Sequence, residues 1–186
     1  MTYTDAQLAL RGNRFPPLKL DAMTPEQLAM VDAVMTGKRA SMQGPYNVLM
    51  RSPEMGIKAQ AFGEQVRFGS SLGLRLNELA ILLVARDWSC VFMWQAHRAI
   101  AVKAGLAESV IDAIDTKQEP LPGLKEDEAV VARFCKELLS TRRTSDETLA
   151  LVKEAFGERG VVDLMGTMAY YTLVAMALNV DGYPVG

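Results

Sequence analysis

Residues 76–106 read LNELAILLVARDWSCVFMWQAHRAIAVKAGL, and the reading of this stretch decides the fold. Apolar residues recur at three- and four-residue spacing on either side of a polar break at Arg86-Asp87. That period belongs to helices and not to a half-buried strand, which alternates. The spacing predicts helices over 75–86 and 90–104, joined by a hairpin at Asp87-Trp88. Gly105 ends the second helix.

On that second helix Cys90, Trp94 and His97 stand at i, i+4 and i+7, so all three share one face. His97 is the only histidine in the chain. Cys90 follows Ser89 at the helix start, where unpaired backbone N–H groups and the helix dipole favour a thiolate. Glu78 lies on the preceding helix, which the hairpin folds back alongside. A carboxylate beside an imidazole raises its basicity and fixes its tautomer. Spacing alone leaves a second reading open: a lone histidine on an apolar face is often simply packed, and a lone cysteine is often a small core residue.

Outward from this segment, the same three- and four-residue period predicts helices over 53–71, 107–115, 125–140, 145–156 and 159–178. Pro120 to Gly123 form a turn, and Ser145 caps the helix that follows it. Upstream, Thr24-Pro25-Glu26-Gln27 is a helix start, with Thr24 as N-cap, Pro25 in the first position and Gln27 reaching back. That helix runs to about Met35 and stops near Gly37. Residues 38–46 (KRASMQGPY) read as a loop. Residues 1–23, with Pro16-Pro17 extended, read as an irregular arm packed on a neighbour or on the body. Nothing reads as a strand, so the fold class is all-α, in one domain over 1–186, with an N-terminal arm and helix (1–43) and a core at 44–180.

Composition narrows the function classes. The chain has 186 residues, 49% of them hydrophobic, and a net charge of −2. Such a balance offers no electrostatic footprint for nucleic acid. The apolar stretch Leu79–Val84 is cut off by Arg86 and Asp87, far short of the roughly 20 apolar residues that span a bilayer. The start, Met-Thr-Tyr-Thr-Asp, has no basic or apolar leader region. Cys90 and Cys135 fall in separate apolar segments, so no disulfide is expected and the cytoplasm is the expected compartment. The eleven methionines read mainly as soft core filler.

The pattern Glu78, Cys90, His97 resembles the glutamate, first cysteine and histidine of the alkylhydroperoxidase D signature, E-x11-C-x-x-C-x-x-x-H. The likeness extends over roughly 40–180, through GPYNVLMRSPEM (44–55), NELAILLVAR (77–86), the W-x-x-H pair and FGERGVVDLMGTMAYYTLVAMALN (156–179). It is similar to a longer branch of the carboxymuconolactone decarboxylase and alkylhydroperoxidase D-like family. The resemblance implies a helical bundle built on a central helical hairpin, a homo-oligomer (dimer, trimer or hexamer), and a small-molecule substrate. No metal and no cofactor are assigned.

One departure bears on the chemistry. The peroxidase branch has its second cysteine where this chain has Met93. A C-x-x-C pair reduces a peroxide by thiolate attack and resolves the sulfenic acid through the partner thiol. Met93 cannot resolve it, and Cys135 sits in the core-like VVARFCKELL. The decarboxylase branch implies acid–base chemistry instead, with His97 and Glu78 as the proton-handling pair and Cys90 beside them. Arg51, Arg67 and Arg98 are candidate holders of substrate carboxylates, and Trp94, Tyr46 and Met93 candidate walls of an apolar pocket. Of Tyr170-Tyr171, one ring is expected in the core and one at a subunit contact. A one-cysteine peroxidase using an external thiol, and a ligand-binding oligomer without turnover, are the alternatives.

Overall fold

The computed structural model describes residues 3–185, which form helices and, among the described residues, no strand. In chain order these are α1 (Asp5–Leu8), α2 (Pro25–Thr36), α3 (Tyr46–Leu49), α4 (Pro53–Phe68), α5 (Gly73–Asp87), α6 (Val91–Lys103), α7 (Glu108–Asp115), α8 (Glu126–Thr141) and α9 (Asp146–Asp181). The last is broken at Gly157, whose φ of 69° and ψ of 177° are not helical. That break is the join expected between 145–156 and 159–178. The described residues divide into two compact units, 3–65 with 173–185 and 66–172.

In the first unit the N-terminal arm is more ordered than its sequence suggests. Thr4 and Gln7 make a reciprocal capping box around α1, which buries Leu8. A 3-10 turn follows at Leu20–Ala22. Both fall inside the expected irregular arm, as α3 falls at the end of the expected loop. Each is a single turn, too short to show a period. Met1 and Thr2 of that arm lie outside the described residues. The arm is tied down by Asp181, whose carboxylate accepts from the backbone N–H of Asn13 (3.1 Å) and Phe15 (2.8 Å). Gly12 is required there: a Cβ would stand 2.1 Å from the Phe15 carbonyl and 2.3 Å from the Asn47 amide nitrogen. Thr24 caps α2 with Gln27 as expected, and Met30, Val31, Met42, Tyr46 and Met50 fill the core.

The second unit is organised by α5. Ten consecutive residues, Leu76–Ala85, are buried, because α6, α7 and α8 all pack against this helix. A helix apolar on every side needs such a central position. Its entry is fixed by Asp163, which accepts from the Ser71 N–H (2.8 Å) and hydroxyl (2.7 Å). Arg75 then clamps α5 to α8, reaching Asp127 at 2.5 Å and the buried Glu128. Buried Asn77 has its amide matched by the Val66 carbonyl, Ser70 and Thr167. Only α9, among the described residues, is long and apolar enough to cross a membrane, and half of its most apolar window is buried inside the protein.

Candidate functional site

The turn between α5 and α6 positions the site. Trp88 closes α5, and Ser89 follows with φ of 49°, in the left-handed region. The Cys90 N–H donates to the Ala85 carbonyl (2.9 Å) and the Ser89 N–H to the Arg86 carbonyl (3.2 Å). These paired bonds are the Schellman helix ending, with serine in the place usually taken by glycine. The same ending recurs after α6, where Gly105 has φ of 89°. Cys90 is consequently both the N-cap of α6 and a direct neighbour of the last turn of α5.

The hairpin brings Glu78 and His97 together. Nδ1 of His97 lies 2.7 Å from Oε2 of Glu78, with Glu78 1% and His97 8% exposed. Tyr171 sets its ring edge-on to the imidazole, centroids 4.9 Å apart. An ionised carboxylate can only accept, so Nδ1 carries the proton and Nε2 is left as the nitrogen able to exchange one. The buried seam of α6 runs Cys90, Met93, His97, Ala101. Met93 lies under the surface in this seam, and Trp94 stands half-buried at its edge.

A hollow of about 230 Å³ opens beside the turn, walled by Arg86, Ser89, Cys90, Trp94, Gln95 and Asp115 among others. Cys90 and Trp94 thus meet on one concavity, whereas Glu78, Met93 and His97 are not among its walls. A larger groove of about 460 Å³ is also lined by Arg86, together with Leu83, Ile114 and Leu121 among others. Burial pushes the Cys90 thiol up, and the Met93 N–H offsets only part of that. The expected thiolate-favouring helix start is therefore outweighed, because desolvation penalises the charged form more than one N–H rewards it. Complete burial raises Cys135 far more strongly.

The remaining candidates separate. Tyr46 is wholly buried in the first unit, its hydroxyl on Gln60 and the Arg39 guanidinium 5.0 Å over its ring. Arg51, also in that unit, is bound to Asn47 and the Pro16 carbonyl. Arg98 pairs with Asp112 at 3.0 Å, and Arg67 lies over the ring of Phe68. Tyr170 and Tyr171 are both buried within the chain and stack edge-to-face, so the expectation of one ring at a subunit contact is corrected. They are adjacent on a helix buried over a wide arc, so neither ring faces out. Among the described residues no three His, Cys, Asp or Glu side chains gather as a metal would need.

The backbone is similar to two solved structures. One is a protein of unknown function from Agrobacterium tumefaciens, described as a candidate antioxidant defence protein AhpD. It matches with a TM-score of 0.65 at 18% identity, over 77% of this chain and 100% of the other. The second is an uncharacterized peroxidase-related protein with an alkylhydroperoxidase AhpD core, from Ralstonia eutropha. Its TM-score is 0.70 at 15% identity, over 93% of this chain and 92% of the other. The chain has the AhpD-like fold. No family model and no curated protein matches the sequence. Within the AhpD-like fold, the residues sequence reasoning missed are Arg86 and Asp115, on the wall beside Cys90. Arg86 had one signal, standing four residues before Cys90, whereas Asp115, twenty-five residues beyond Cys90, had none.

Proposed function

We propose that the protein is an enzyme whose acid–base centre is the His97–Glu78 pair, acting on a small carboxylated lactone or related ring compound. The 2.7 Å contact between these two buried side chains carries the reading. In a decarboxylation the C–C bond to the departing carboxylate breaks, and its electron pair passes to the conjugated carbonyl. Carbon dioxide leaves, and the enolate carbon takes a proton from Nε2–H of His97, which solvent restores. Glu78 balances the imidazolium and holds the ring.

A second reading rests on the fold neighbours, one described as peroxidase-related, and on the place of Cys90 in the hollow wall. Here the thiolate attacks the peroxide, an alcohol leaves, and an external thiol reduces the resulting sulfenic acid. The raised Cys90 thiol weighs against it, as does Met93. The test is a screen of carboxylated lactones and 3-oxo acids in deuterated water, beside a peroxide assay with added dithiol. The acid–base reading expects carbon dioxide release with one deuterium in the product; turnover of peroxide alone would replace it with the thiol reading.

A further inference from the structure

We infer that Arg86 is the anion-binding residue of the Cys90 hollow, and that the hollow takes a small molecule bearing a carboxylate. Arg86 lies in the last turn of α5, four residues before Cys90, and the Cys90 N–H bond to Ala85 holds the two segments side by side. Both residues wall the same hollow. Among the described residues, the Arg86 guanidinium makes one ion pair, to Asp115 at 3.5 Å, and its Nε has no hydrogen-bond partner.

A guanidinium offers five N–H donors in a planar fork that matches a carboxylate. Charge-assisted bonds of that kind run about 2.7–2.9 Å, so the Asp115 contact is long and leaves the fork unfilled. Both partners are partly exposed, and ion pairs there hold weakly. A ligand carboxylate presenting two oxygens in plane displaces Asp115 from the fork. The apolar face of such a ligand then meets Trp94, the large apolar side chain of the same wall. Arg98 is held by Asp112 at 3.0 Å, and none of Arg98, Arg51 and Arg67 walls this hollow.

The inference rests on reading the α5–α6 hairpin as an enzyme site, but its test needs no turnover. Iodoacetate and iodoacetamide differ by one charge, and each alkylates Cys90 with loss of iodide. The rate ratio of the two, followed at Cys90 by mass spectrometry on the full-length protein, reports the local charge. In Arg86→Gln the iodoacetate-to-iodoacetamide ratio is expected to fall about two- to fivefold, the range an exposed ion pair supports. Asp115→Asn should move the ratio the other way. Raising salt should lower the ratio for the unaltered protein, which covers a variant that fails to fold. An unchanged ratio in Arg86→Gln, or a wild-type ratio indifferent to salt, overturns the inference. Loss of the acid–base reading through His97 variants would leave this ratio untouched, so the two failures are distinguishable.

Discussion

Nδ1 of His97 stands 2.7 Å from Oε2 of Glu78, linking α5 to α6 inside the second unit. Because His97 is the only histidine, nitrogen NMR sees one imidazole. The neutral ring is expected to carry its proton on Nδ1, and Glu78→Gln should weaken that preference, since an amide oxygen accepts less strongly than a carboxylate. A neutral ring protonated mainly on Nε2 in the unaltered protein would remove Glu78 as its orienting partner.

Brief alkylation of the native protein should label Cys90 well before Cys135. Cys90, though only 2% exposed, walls the hollow beside the turn, whereas Cys135 is 0% exposed and its thiol is pushed far up by burial. Because burial also lifts the Cys90 thiol above its ordinary value of 9.0, its labelling should still be rising with pH beyond that value. Peptide mapping by mass spectrometry decides this; preferential labelling of Cys135 contradicts the assignment.

Arg75→Met should destabilise the protein by about 2–4 kcal/mol, because it leaves the buried Glu128 carboxylate with only the Lys125 N–H at 2.9 Å and the Lys125 ammonium at 4.0 Å. The hydrogen bond from Arg75 is the main cause holding the Asp127 carboxyl below its ordinary 3.8. The folded form therefore takes up that proton less readily than the unfolded chain. The stabilisation is complete above about pH 4 and disappears as pH drops through the lower folded value. Urea unfolding at neutral and acid pH should show the variant's deficit largest at neutrality and narrower in acid. A pH-independent deficit would assign the loss to packing alone.

The protein is expected to be a homo-oligomer. Val162 and Met165, one turn apart on α9, are 58% and 50% exposed in the single chain, and an apolar helix face of this kind is normally covered. Replacing both by glutamate should lower the mass seen by light scattering while circular dichroism stays unchanged. A monomer mass for the unaltered protein across micromolar concentrations contradicts the expectation.

Much of this was legible because long helices advertise themselves. The 76–106 stretch announced a hairpin through its period, and Glu78, Cys90 and His97 through their rarity and spacing. The capping boxes at Thr4 and Thr24 have the same chemistry, yet only the second was read, because α1 ends within one turn and gives no period. The turn at Asp87-Trp88 was legible, but the form of its helix ending was not, because Ser89 occupies a left-handed position that normally announces itself as glycine. The direction of the Cys90 shift was also misjudged. Sequence shows a helix start, but how deeply a thiol is desolvated depends on residues far along the chain. Arg86 stayed unread for the related reason that an unfilled guanidinium is a property of three-dimensional neighbours.

The most direct measurement compares His97→Gln and Cys90→Ala with the unaltered protein on the substrate the screen identifies. His97→Gln should keep the helical circular dichroism and lower turnover by a factor of about 10²–10⁴, with Glu78→Gln costing less and Cys90→Ala retaining proton transfer. Full activity in His97→Gln, with loss in Cys90→Ala, would contradict the account and move the chemistry to the thiol.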